Sequence, residues 1–334
     1  GNHMTNNQIE NYTDKIRLIT TYSIALGIII LLIIAGALVY HFWLKDKIKR
    51  VDQENNNEPV DKNPEIPNYL EEPNNRLKSL YIILAYALGF YILGQVISSI
   101  FISFYLRANG ITDMNQLTSD SPIYINALCY SNFITYVVTL ILIIIVSVKV
   151  LAVDIRNFSK HPSFYLKWAG LGFVIMWVLI IVSNTLVTIF SNGISSTVES
   201  ENQKVITMIL TSGPGNLLLM GSVTVLLAPF IEELVFRKGL FGIFKTKTLL
   251  TVVISSVIFA GIHVVPACVS DIIAINTGDA TVVDLYLEAI SIISYLGQAF
   301  ALSYTYYKTK GNIIPCMIIH LANNLISLIA TLFI

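Results

Sequence analysis

The sequence predicts an all-α polytopic membrane protein, a bundle of about eight transmembrane helices, and three observations carry that prediction. Of 334 residues, 54% are hydrophobic and only 13% charged, against roughly 25% charged in a soluble domain. The apolar residues fall in blocks of about 20 or more, the length a helix needs to cross a bilayer, and mean hydropathy is +0.69. Lys and Arg crowd into alternate connections between those blocks, as the positive-inside rule requires. Zero net charge offers nothing to nucleic acid. The cysteines Cys129, Cys268 and Cys316 are far apart and read as small apolar residues.

The elements follow in order. Gly1–His3 ahead of Met4 reads as a cloning remnant and is set aside, leaving 4–50 as an N-terminal spanning helix with a basic flank. That first span, Ile16–Trp43, is too long for a signal-peptide core and has no small-residue cleavage pattern after it. Residues 51–78 are rich in Asn, Pro and Glu; such composition buries too little apolar surface to fold alone and predicts a flexible polar loop. Residues 79–212 hold the spans Leu80–Leu106, Ile123–Val150 and Phe164–Phe190, followed by a polar segment from Ser191 to Met208 that reads as an external loop or an interfacial helix. Ser212-Gly-Pro-Gly-Asn216 then breaks the chain. Residues 213–334 hold the spans Leu217–Phe236, Thr248–Val265, Val283–Tyr306 and Ile313–Ile334.

The odd connections carry Lys45, Lys47, Lys49, Arg50, Lys149, Arg156, Lys160, Lys167, Arg237, Lys238, Lys245, Lys247, Lys308 and Lys310. The even ones are mostly acidic, with Asp113, Asp120, Glu199, Glu201, Asp271 and Asp279. This alternation predicts odd connections in the cytoplasm and both termini outside.

Ionisable groups within a membrane are costly and mark functional sites by default. The fifth span carries Glu232 and Glu233 side by side, with Arg237 one helical turn after Glu233. An acid four residues before a base is the favourable orientation, so Glu233 pairs with Arg237. Glu232 lies about 100° round the helix and has no partner of its own there. It is the freer carboxylate, suited to general base and then general acid work. Pro229 removes a backbone donor and should kink the helix beside it. The plain alternative is that both acids sit at the interface and reach water.

The sixth span carries Phe259 and His263 four residues apart, and the eighth carries His320 and Asn324 likewise. The Asn324 amide could orient an imidazole or donate to a developing oxyanion; Asn323 points elsewhere and bonds across helices. Of five histidines, only these two lie mid-span. Asp284 and Glu288 read as interfacial, with Glu288 near enough to line a cavity. Glu232, His263, His320 and Asn324 converging could activate water on a peptide carbonyl. They could do so directly, or with zinc or another divalent metal held by Glu232, His263 and His320.

Glu232-Glu-Leu-Val-Phe-Arg237, Phe259-Ala-Gly-Ile-His263 and His320-Leu-Ala-Asn-Asn324 resemble, in order and spacing, the EExxxR, FxxxH and HxxxN motifs of the CAAX protease and bacteriocin-processing family. The resemblance spans Leu217 to Ile334. It implies an intramembrane endopeptidase acting on a membrane-associated peptide or protein near the cytoplasmic side, with the active site between helices five, six and eight. Glu232 would activate water, Glu233 and Arg237 would support it, with Phe259 beside them, and His263, His320 and Asn324 would complete the site. Members have been described both as metalloproteases and as metal-free glutamate proteases. Bacterial relatives are linked to peptide processing and bacteriocin immunity, which suggests a multi-pass protein of a bacterial cell membrane. The contrasting reading is a non-catalytic immunity or regulatory scaffold in which the polar cluster only joins helices.

One tension sets a structural expectation. Counted at about 1.5 Å per residue from Lys238, Thr248 and Asn312, Glu232 lies roughly 9 Å deep, His263 about 22 Å and His320 about 12 Å. The fifth helix must continue past Lys238, or the sixth must tilt strongly or start late, for the cluster to form.

Overall fold

A computed structural model describes residues 65–70, 76–195, 197–244 and 248–333. The span expected at 16–43 and most of the loop expected at 51–78 lie outside these residues. The rest is helical, with no strand among the described residues. Seven helices are long and apolar enough to cross a membrane: α1 (Arg76–Ala108), α2 (Pro122–Lys160), α3 (Pro162–Ser191), α5 (Pro214–Ile243), α6 (Leu249–Thr277), α7 (Val282–Lys308) and α8 (Ile314–Phe333). A short α4 (Glu201–Leu210) stands where the sequence left an external loop or interfacial helix. The protein is an integral, multi-pass membrane protein, and the seven spans are the second to eighth of those expected.

Local chemistry sets the boundaries. Ser121 caps α2 by accepting from the Tyr124 N–H, with Pro122 in the first turn. Thr281 and Asp284 form a reciprocal capping box on α7. Gly278 ends α6 in the left-handed region at φ 82°, the conformation glycine adopts without strain. Two further glycines bring α3 and α7 together. A Cβ on Gly297 would meet Ser183 Oγ at 2.4 Å, and one on Gly172 would meet Thr305 Oγ1 at 2.2 Å. Small residues permit this close backbone approach between membrane helices.

Three helices outrun their expected ends. α2 continues from Val150 to Lys160, α5 from Phe236 to Ile243, and α6 through Pro266 to Thr277. For α2 and α5 the reason is electrostatic pairing across the fold. Arg237 and Lys238, expected in a cytoplasmic connection, are both buried inside α5. Lys238 Nζ donates to Asp154 Oδ1 at 2.8 Å and to the Gly311 carbonyl at 2.7 Å. The other Asp154 oxygen accepts from the Ile313 N–H. A buried ion pair persists only when both partners are matched and hydrogen-bonded, and here α2, α5 and the α7–α8 turn supply those partners together.

Residues 65–70 pack over this pair. Tyr69 N–H donates to the Lys310 carbonyl at 3.0 Å, and its ring faces the Lys238 ammonium at 5.1 Å. Its hydroxyl contacts the Asn157 amide. This part of the segment expected as a flexible loop is therefore seated on the bundle.

The extension of α5 brings Glu232 and His263 to similar depths, while His320 lies six residues, about 9 Å, from the start of α8. Glu232 now lies 11 residues, about 16 Å, from the end of α5, and His263 lies 14 residues, about 21 Å, from the start of α6. The helices alternate in direction. One end of the bundle gathers Lys160, Lys308 and Lys310, and the other gathers Glu199, Glu201, Asp271, Asp279 and Asp284.

Candidate active site

α5 is not a regular helix. Wide π turns at Val223–Leu227 and Leu234–Gly239 flank a short α-helical stretch, Ala228–Glu233, that carries both carboxylates. In the π register each carbonyl accepts from the residue five ahead, as Val223 does from the Ala228 N–H. The carbonyl of Thr224 would then look to Pro229, which has no N–H. Asn324 of α8 supplies the missing donor, its Nδ2 lying 2.8 Å from the Thr224 oxygen. The proline thus follows a wide turn, Val223–Leu227, and its missing donor ties α5 to α8.

Glu233 and Arg237 form the expected ion pair, 3.2 Å between Oε2 and Nε, both fully buried. The contact is Coulombic, off the hydrogen-bond line. The other Arg237 contacts are the Ala299 carbonyl, 3.3 Å from Nη2, and the face of Phe259, 5.0 Å from Cζ. Phe259 also packs edge-on to Phe236 and against the His263 ring. That explains an aromatic one turn before the histidine: it covers the guanidinium and supports the imidazole.

Glu233 has a second task that its pairing with Arg237 alone does not imply. Its Oε1 lies 2.7 Å from His320 Nδ1. A carboxylate accepts only, so Nδ1–H donates and, in the neutral ring, Nε2 carries the lone pair. His263 is fixed the same way, with Nδ1 2.8 Å from the Phe259 carbonyl. Both Nε2 atoms face Glu232, His263 at 3.7 Å from Oε1 and His320 at 3.8 Å from Oε2. Glu232, His263 and His320, from α5, α6 and α8, therefore meet, as the sequence reading requires. The centre they make is rich in acceptors and poor in donors.

A cavity of about 370 Å³ adjoins this centre. It runs from Glu232, Phe259, His263 and His320 toward α4, where Glu199, Ser200 and Asn202 line it. Asn324 lines it as expected, and so does Asn323, which the sequence reading pointed elsewhere. Glu288 does not line it: its Oε2 accepts the Glu201 N–H at the start of α4.

Tyr295 of α7 was not singled out from sequence. Its ring stacks on His263, centroids 4.8 Å apart and planes 22° apart. Its hydroxyl lies 2.8 Å from Ser200 Oγ, the residue that caps α4. The spacing of His263 and Tyr295 in the chain gives no sign of this contact. Only the polarity of a tyrosine among apolar α7 residues could have drawn attention to it.

Two imidazole lone pairs and a carboxylate form a donor set suited to a divalent cation. The spacing is wider than such a site uses: bonds of about 2.0–2.1 Å at the tetrahedral angle separate ligands by about 3.3 Å. Among the described residues no three His, Cys, Asp or Glu side chains gather at metal-binding spacing.

Residues 214–326 match a family model described as "Type II CAAX prenyl endopeptidase Rce1-like". A Bacillus subtilis (strain 168) protein bearing the name "Putative membrane peptidase YdiL" is 28% identical over 141 residues. That alignment covers 39% of this chain and 52% of the relative, so the chain spans about half the length of the relative it matches. No solved structure matches the chain.

Proposed function

We propose that this chain, whose residues 214–326 match the Rce1-like family model, is an intramembrane endopeptidase that hydrolyses a membrane-associated peptide with water activated by Glu232. One observation carries the reading. A carboxylate and two imidazole nitrogens face one another at 3.7 and 3.8 Å beside a cavity, with both Nδ1–H groups already engaged. Three acceptors in one place ask for a donor between them, and water is a donor.

The chemistry follows from those positions. Water donates to Glu232 and attacks the carbonyl carbon, so a C–O bond forms as its proton passes to the carboxylate. The oxyanion that develops meets the amides of α8, since Asn324 uses one N–H on Thr224 and has a second to give. The C–N bond then breaks as Glu232 returns the proton to the leaving nitrogen. Glu233 keeps His320 in the tautomer the site needs, and Arg237 lies against the other Glu233 oxygen. Were a divalent cation bound, Glu232, His263 and His320 would hold it, and it would supply Lewis-acid polarisation of water.

The test is cleavage by the full chain in proteoliposomes. E232Q should abolish turnover and leave the thermal transition in place. Turnover that survives E232Q would refute the reading. Parallel reactions with and without chelator decide whether a cation takes part: loss with chelator and rescue by zinc assigns one.

A further inference from the structure

Two polar stripes face each other across the cavity. Along α8, Asn323, Asn324, Ser327 and Thr331 follow His320 at spacings of three and four residues, so they share its face. Along α7, Ser291, Ser294 and Gln298 do the same beside Tyr295. From His320 to Thr331 the α8 stripe climbs about 16 Å toward α4.

Polar side chains inside a membrane protein normally bond across helices. These largely do not. Asn324 donates across to Thr224 and Ser294 to Asn184, while Ser291 and Thr331 bond their own helices at the Glu288 and Ser327 carbonyls. The side chains of Gln298, Ser327 and Asn323 make no hydrogen bond to the described residues, although Asn323 is only 3% exposed. Their polar atoms are not sealed off from the cavity, so they are open to a ligand that brings both donors and acceptors at short, regular intervals.

We propose that the cavity binds the scissile segment as an extended, unlipidated peptide, about five residues long, entering from the α4 end, the acidic end of the bundle rather than the basic end beside which the sequence places cleavage, with its backbone read by the α7 and α8 side chains. An extended chain rises about 3.3 Å per residue, so the 16 Å stripe accommodates about five. An isoprenoid chain would leave Asn323 and Gln298 unpaired, and a site built to hydrogen-bond rejects ligands that lack the partner group. This inference rests on the endopeptidase reading and specifies its substrate class, departing from the prenylated substrates that the matched family's description names.

The experiment uses the full chain in proteoliposomes with two matched probes. Each is an internally quenched peptide of eight random polar residues attached to a Leu/Ala membrane-spanning anchor; one carries a farnesylated cysteine within the eight. Cleavage is measured with wild-type protein, and binding with E232Q by fluorescence anisotropy. The unmodified probe should be cleaved with at least tenfold higher kcat/KM and bound at least tenfold more tightly. Q298L and S327L should each raise its KM at least fivefold while kcat and the thermal transition stay within twofold and 2 °C. Preference for the farnesylated probe, or unchanged KM in both variants, overturns the inference and leaves the peptidase reading standing. Binding without cleavage of either probe sinks the peptidase reading alone. Neither binding nor cleavage sinks both.

Discussion

Replacing Glu233 by methionine should cost more stability than its own contacts suggest, because the substitution strands Arg237. The guanidinium is fully buried, and without the carboxylate it retains one carbonyl at 3.3 Å and one aromatic face at 5.0 Å. Breaking a buried ion pair from one side costs about 3–5 kcal/mol, because an uncompensated charge remains in the low-dielectric interior. At about 1.4 kcal/mol per tenfold, that shifts the folded-to-unfolded ratio by a factor of about 10² to about 4 × 10³. R237M should cost a similar amount by leaving the Glu233 charge alone. The double variant E233M/R237M removes both charges, conserves volume, and should recover most of the loss. Activity should behave differently. His320 Nδ1 loses its 2.7 Å acceptor in E233M and in the double variant alike. Removing such an orienting partner costs about 10–100-fold. Denaturation in bicelles, followed by tryptophan fluorescence, measures stability, and peptide cleavage measures activity. Single variants that cost under about 1 kcal/mol, or a double variant as unstable as the sum of the singles, would refute the buried-pair argument. A double variant with full activity would refute the orienting role of Glu233.

Other perturbations test other parts of the fold. G297A places a Cβ 2.4 Å from Ser183 Oγ and 2.9 Å from the Leu179 carbonyl, and forcing α3 from α7 should lower stability by about 1–3 kcal/mol, read as a lower melting temperature. D154N leaves the Lys238 ammonium facing the Gly311 carbonyl without a counter-charge and should cost about 3–5 kcal/mol, with D154N/K238M regaining most of it. Y295F keeps the ring on His263 but cuts the hydroxyl from Ser200; it should raise KM with little change in kcat, and S200A should reproduce it. Y295L removes the stack as well and should lower kcat about tenfold or more by loosening the imidazole, seen in initial rates at saturating peptide.

Much of the site was legible in the sequence because its key residues are costly where they stand. A carboxylate or imidazole in the middle of an apolar span demands a partner, and the short roster of candidates leads to Glu232, His263 and His320. The Glu233–Arg237 pair follows from helical periodicity alone. What stayed hidden depends on contacts between distant parts of the chain. Lys238 reads as an interfacial charge until Asp154, 84 residues away, is seen to hold it inside. For the same reason the ends of α2 and α5 were placed early: a charged residue normally marks water, and here it marks a buried partner. Asn323 was misplaced because α8 presents to the cavity a face broad enough for the residues three and four positions after His320, so both amides share it. Tyr295 was invisible because an aromatic ring in an apolar helix usually fills space.

Pro229 has a consequence for how this protein can change. Its ring withholds a donor that Asn324 must then provide from another helix, so the two positions are tied by a shared hydrogen rather than by touching side chains. An alanine at 229 would satisfy its own backbone and set the amide of residue 324 swinging free. Asparagine 324 without the proline would keep its identity and lose its aim, and drift at either locus is thereby answerable to the other.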